Sequence, residues 1–292
     1  MDDKEDLIGM KMKRGLPIGG QALPSGVMMR THEKCAIALR LRSGRIVSSS
    51  WPVSQKRIIK RPVLRGIYQL LASFKTSFQT IFRAAQLSKR AGELHISPIS
   101  IISAAAAFLI VGLYAFSTDW LYNHLCLYFS EFCQHYLFTF VYGLADLLML
   151  IFTLVLITRL PAVKRLLRYH GAEHKAIACY EKGLDLSVEN VVAQSRFHKR
   201  CGTSMVVFIS LAMLIASVFI PSQLPETVQE LILCAAVLMA AGFSYEAMCS
   251  KKVTPITRLG LFAQRFTTRE PDDAMVECAI CAVSEATIFD RL

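Results

Sequence analysis

Long apolar runs separated by polar, basic stretches set the architecture of the chain. Ile99–Trp120, Leu137–Leu160, Thr203–Ile220 and Val228–Met248 are apolar over a length near the ~20 residues that a helix needs to cross a bilayer. Gln229 and Glu230 move the effective start of the last run to Leu231. Such segments must be helical, because lipid offers no partner to an unpaired backbone amide. Outside them the period changes. Cys35–Arg42 alternates by two, Ser43-Gly44 supplies a turn, and Arg45–Trp51 continues, which predicts a β-hairpin. Gly19-Gly20 and Gly26 mark tight turns or a close backbone approach. Over 62–87, Leu64, Ile67, Tyr68, Leu71, Phe74, Phe78, Ile81 and Phe82 recur at helical spacing among basic residues. This amphipathic helix could lie on a membrane surface or pack on the protein's own polar part. Glu270-Pro271-Asp272-Asp273 is a helix-start signal, so Met275–Thr287 reads as a short closing helix.

The expected fold class is therefore mainly α: a polytopic membrane protein with four transmembrane helices. A small α+β part comprises the N-terminal hairpin, amphipathic helices and the middle loop. The organisation divides into 1–97 (hairpin and amphipathic helix), 98–160 (first two spans), 161–202 (middle loop), 203–249 (last two spans) and 250–292 (tail). Lys and Arg orient it. Lys56 to Arg90, Lys164 to Arg200 and Lys251 to Arg269 supply basic flanks, whereas 121–136 and 221–227 contain no Lys or Arg. The alternation places both termini and the middle loop in the cytoplasm. The opening Met1-Asp-Asp-Lys-Glu-Asp has no basic n-region leading into an apolar stretch, so the first internal helix is expected to direct insertion.

Composition adds little to this. The chain has 292 residues, 53% hydrophobic and 19% charged, with a net charge of +11. The basic residues flank apolar runs instead of forming one basic domain, which favours membrane lipids over nucleic acid as partners. Nine cysteines are too dispersed for a disulfide framework. Cys126 and Cys133 fall on the outer side and can pair there, while Cys234 and Cys249 read as small hydrophobes.

Chemistry concentrates at His170-Gly171-Ala172-Glu173-His174. Two histidines four apart lie one turn apart on one helix face and can share a divalent metal, with zinc the default for nitrogen ligands. Glu173 gives the order His-x-x-Glu-His, in which the glutamate acts as general base on a metal-activated water. His198 and Cys201 offer further ligands, and Glu181 and Glu189 further oxygens. A five-residue motif recurs by chance, and two histidines on a basic amphipathic face would look the same. The added ligands in the same loop favour metal. Isolated His32 and His95 read as surface residues, and His124 and His135 face the wrong side. Cys278-Ala-Ile-Cys281 and Met28-Met29 read as packing. Asp146, near Gly143 in the second span, is either functional or hydrogen-bonded to a neighbouring helix.

Several blocks then point to a family. They are Gly19-Gly20-Gln21-Ala22, Gly26–Arg30, Arg65-Gly66, Tyr169–Lys175, Glu189-Asn190-Val191, His198–Ser204, Ser244-Tyr245-Glu246 and Thr267–Asp273. Together they resemble the YqhQ-like family of bacterial membrane proteins of unknown function, labelled predicted metal-dependent enzymes. The resemblance spans nearly the whole chain and implies a multi-pass protein of the bacterial cytoplasmic membrane. By motif match it carries over His170, Glu173, His174, His198 and Cys201, with Glu246 and Glu270–Asp273 as additions of unassigned chemistry. The chain departs at Pro24-Ser25-Gly26, where the family pattern has Ile-Glu-Gly.

Three functions compete. One is a membrane-embedded, metal-dependent hydrolase acting on a membrane peptide or lipid headgroup at the cytoplasmic face. Another is a scaffold or regulator with a structural metal. Transport is disfavoured by the scarcity of ionisable groups in the spans, although oligomerisation could assemble a path.

Overall fold

The computed structural model describes residues 18–53, 61–92, 98–128, 136–221, 224–250 and 255–288. The N-terminal sheet is larger than the expected hairpin. Strands β1 (Gly19–Leu23), β2 (Gly26–Arg30), β3 (Lys34–Arg40) and β4 (Ile46–Pro52) form an antiparallel meander in that order. The hairpin of β3 and β4 turns at Gly44, whose φ of 86° suits only glycine well. Pairing of β1 with β2 was hidden by its glycines. Gly20 and Gly26 lie inside strands, and the second, paired with Leu39, leaves no room for a Cβ against the Ala38 carbonyl.

Both faces of the sheet are covered, and the period of two decides which residue faces what. Val27, Met29, Ala36 and Ala38 face one core; Met28, Cys35, Ile37 and Leu39 face the other. Met28 and Met29 are thus packing residues on opposite faces. On the first face lie α4 (Pro161–Glu181) and α9 (Asp273–Thr287). Their small residues Ala172, Ala176, Ala279 and Ala282 let the helices approach closely, and the Cys278 thiol donates to the Ala38 carbonyl at 3.2 Å. Asp272 caps α9 through the Met275 amide.

On the second face lies the C-terminal half of α1 (Leu64–Arg90), through Ala84 and Leu87, with Arg83 over the Trp51 ring. The N-terminal half of α1 packs on α7 (Glu226–Cys249), where Gly66 and Gly242 face each other and Arg65 donates twice to the Glu246 carboxylate at 2.8 and 2.6 Å. The amphipathic helix therefore packs on the protein itself, yet Leu71, Phe74, Phe78 and Phe82 stay more than half exposed.

Among the described residues, four helices are long and apolar enough to cross a membrane: α2 (Pro98–Tyr128), α3 (Tyr136–Ile157), α6 (Gly202–Phe219) and α7. The second stops at Ile157, short of the expected Leu160, so Thr158 and Arg159 lie beyond it. Phe108, Phe116, Phe219 and Leu231 stand on their surfaces, more than two-thirds exposed, as lipid-facing residues do. Asp146 accepts a hydrogen bond from the Tyr114 hydroxyl at 2.8 Å, tying α3 to α2, which is the neighbour-helix alternative. Gly143 admits the Leu214 side chain of α6.

The region expected as a loop is mostly helix. Pro161 opens α4, which runs unbroken through both histidines and is followed by the short α5 (Val188–Val192). The tail holds a further helix unexpected from the sequence, α8 (Pro255–Thr267), packed on α6. One core joins Ile18, the sheet, α4, α5 and α9. These segments lie before, between and after the two pairs of spans, so they share one side. Cys133, His95 and His135 lie outside the described residues, and with Cys133 the expected outer cysteine pair.

Candidate metal centre

Three side chains from two helices meet at one end of α6. His170 and His174 come from successive turns of α4, and Cys201 from the residue that caps α6. One ligand atom from each lies within 4.8 Å of the others. His174 and Cys201 are buried at 2% and 4% exposure.

The backbone orients both rings. His170 Nδ1 lies 2.8 Å from the Thr267 carbonyl and His174 Nδ1 lies 2.6 Å from the Arg196 carbonyl. A carbonyl only accepts, so each Nδ1 is the donor, and in the neutral ring that leaves Nε2 as the nitrogen able to bind a metal. Outer-shell carbonyls commonly orient metal-ligating histidines in this way. His170 Nε2 is 3.4 Å from Cys201 Sγ. Metal–nitrogen and metal–sulfur bonds of about 2.0 and 2.3 Å at a tetrahedral angle give an N···S separation of about 3.5 Å. That pair therefore stands at the edge length of a tetrahedral site, and the donor set fits zinc. The Thr203 amide donates to Sγ at 3.4 Å, which makes Cys201 the cap of α6.

Glu173 points from the same helix toward β1. It is 5% exposed and lies over Gly20. The Ala22 amide donates to its carboxyl group, while Oε2 is buried with no partner. Burial pushes its pKa up to about 7, against the lowering effects of His170, His198 and the Ala22 amide. A carboxyl held near neutrality with one unpartnered oxygen is suited to accept a proton at neutral pH.

His198 sits beside the cluster, its ring centroid 5.8 Å from that of His174. Its Nε2 lies 3.2 Å from Glu181, which also pairs with Arg200. Burial lowers its pKa, so at neutral pH this contact is a hydrogen bond from neutral imidazole. Gln264, fully buried, clamps the His198 backbone, accepting from its amide and donating to its carbonyl, both at 2.8 Å. Of the remaining candidates, Glu189 is exposed in the first turn of α5, Glu246 is engaged by Arg65, and Asp146 lies within the spans.

The segment Thr267–Asp272 straps the site together. The Arg269 amide donates to the Leu167 carbonyl at 2.9 Å, and a Cβ on Gly171 would collide with the Arg269 carbonyl. Glu270 accepts from Lys175 at 2.9 Å and from Arg196 at 3.3 Å; Asp272 accepts from Arg168 at 2.9 Å. Arg196 also donates to the Thr268 carbonyl and hydroxyl. This gives Glu270 and Asp272 a role that spacing alone did not reveal: they hold the carbonyls of Thr267 and Arg196 against the imidazoles.

The uncharacterized protein YqhQ of Bacillus subtilis (strain 168) is 28% identical to this chain over 301 residues, covering 94% of the chain and 93% of that protein. No solved structure matches the chain. A family model described as "Protein of unknown function (DUF1385)" matches residues 61–288, from just before α1 to the end of the closing helix, and the chain belongs to that family.

Proposed function

We propose that the protein is a membrane-embedded, metal-dependent hydrolase whose site lies at the cytoplasmic face of a bacterial inner membrane. What carries this reading is the convergence of two carbonyl-anchored imidazoles and a thiol, with the unpartnered oxygen of Glu173 on the same helix. Three protein ligands leave a fourth position open, as catalytic sites do and closed structural sites do not. His170, His174 and Cys201 would hold the metal. Bound there, a divalent metal such as zinc polarises a substrate oxygen and lowers the pKa of water toward about 7. Glu173 would take up the proton that such a water gives up, its desolvated position keeping it basic enough to do so. His198, hydrogen-bonded to Glu181 at the edge of the cluster, would position substrate. The cytoplasmic placement rests on the basic flanks of the shared side. The apolar row on α1 suits the surface of that leaflet.

The test is elemental analysis of detergent-purified protein beside the His170→Ala/His174→Ala double variant and Glu173→Gln. Near-stoichiometric metal in the parent and in Glu173→Gln, absent from the double variant, is expected. Absence of metal from the parent under chelator-free purification would overturn the reading and leave a membrane scaffold.

A further inference from the structure

At the inner end of α3, a cavity of about 290 Å³ opens between that helix, Arg196 and the strap. Its lining is unusually one-signed: Arg159, Arg196, Arg265 and Arg269 against a single carboxylate, Glu270. Glu270 is already engaged by Lys175 and Arg196. Among the described residues no carboxylate pairs with Arg159, Arg265 or Arg269, and the Nε of Arg269 is buried without a hydrogen-bond partner. A buried guanidinium N–H without an acceptor costs free energy comparable to a lost hydrogen bond, and a cluster of like charges adds repulsion. The repulsion is relieved when an anion with several acceptor oxygens enters, and the planar fork of arginine matches phosphate in particular.

The surroundings say where the anion comes from. Val155, in the last turn of the span Phe140–Ile157, forms one wall, and Phe266 of α8 another. α8 exposes Leu259, Phe262 and Phe266 at 45–54%, with Arg265 lying over the Phe262 ring at 5.4 Å. Arginines at the end of a span, beside an apolar row at the same level, fit a headgroup whose acyl chains run down the helices.

We infer that this cavity binds the phosphate group of an anionic phospholipid of the adjoining leaflet. The site is separate from the metal centre but borders it, since Arg196 and Thr268 line the cavity while the carbonyls of Arg196 and the neighbouring Thr267 face the imidazoles. It stands whether or not the metal reading holds.

Lipid retention can be titrated by native mass spectrometry on the full chain in detergent. The probes are dioleoylphosphatidylglycerol, dioleoylphosphatidylcholine and inorganic phosphate. Phosphatidylglycerol is expected to bind in preference to phosphatidylcholine, and Arg159→Gln/Arg265→Gln to weaken it about thirtyfold, from roughly a fivefold effect per charge near a membrane surface. Both arginines are exposed, so the variant should fold, and Arg159→Lys/Arg265→Lys should bind within about threefold of the parent. Lys89→Gln/Arg90→Gln, at the end of α1, should leave binding unchanged. Equal affinity in parent and glutamine variant, or an equal loss in the α1 variant, overturns the site. Inorganic phosphate binding as tightly as the lipid and displacing it overturns the lipid assignment. Metal content read on the same samples separates this outcome from that of the metal centre.

Discussion

Gly20 of β1 lies directly beneath the Glu173 carboxyl group: a Cβ there would stand 2.7 Å from both Cγ and Oε1 of Glu173. The strand therefore leaves space for the one acidic side chain in the His-x-x-Glu-His run, while its Ala22 amide supplies that side chain's hydrogen bond. Gly20→Ala should displace Glu173 and cost about 1–3 kcal/mol, as overpacking does. Glu173→Ala placed on top of it should relieve the clash, so the two costs will be less than additive. Thermal midpoints of the two single variants and the double variant check this; simple additivity would mean that the carboxyl group does not occupy that space.

Cys278 and Cys35 lie on opposite faces of the sheet, and burial raises their pKa values to about 12 and about 11. Both should resist alkylation by iodoacetamide at pH 8 in the native protein and react after denaturation. The sign of the pH effect follows from linkage. The folded form holds these protons more tightly than the unfolded form, whose thiols titrate near 9. Their contribution to stability is full below that value and falls as pH rises from about 9 toward 12. Cys278→Ala should flatten this alkaline decline, measured as thermal midpoint against pH.

Lys175 is only 7% exposed and is held by Glu270 and by the Val192 carbonyl, at 2.9 and 2.8 Å. Glu270→Ala should cost about 1–2 kcal/mol, because an almost buried ammonium loses its counter-charge. Lys175→Met should cost less than that, since an apolar side chain of similar length needs no partner. A larger loss in Lys175→Met than in Glu270→Ala, by denaturant or thermal unfolding, would contradict the assigned pairing.

Between the spans, Tyr114→Phe should destabilise by about 0.6 kcal/mol and at most about 2, the range for hydrogen bonds between membrane helices. Asp146→Asn keeps an acceptor for the Tyr114 hydroxyl and should be nearly neutral. Loss of function in Asp146→Asn, with folding intact, would instead assign the aspartate to a transport path.

How far the sequence disclosed this arrangement depended on the range of the interactions. The spans, the hairpin around Gly44 and the cap of α9 at Asp272 follow from local pattern: apolar length, period two and an Asp before a helical run. The histidine pair was legible for the same reason, being spaced by one turn. Cys201 was legible only as a residue type, and its approach to His170 depends on how α6 begins. The β1–β2 pairing escaped notice because glycines that normally signal turns serve here as contact points. The strap was opaque, because Arg196–Glu270 and Gly171–Arg269 join segments that no spacing rule relates.

The shared core of the sheet, α4 and α9 also dictates an order of events. The strands are made first, but the helix that completes their packing follows the fourth span in the chain. Val276, Cys278 and Ala279 reach Val27 and Ala38 only after every membrane crossing has been synthesised. Until then one face of the sheet is covered by α4 without α9, and His170 lacks the Thr267 carbonyl that its Nδ1 faces. Synthesis of all four apolar helices thus precedes assembly of the His170–His174–Cys201 cluster with its strap.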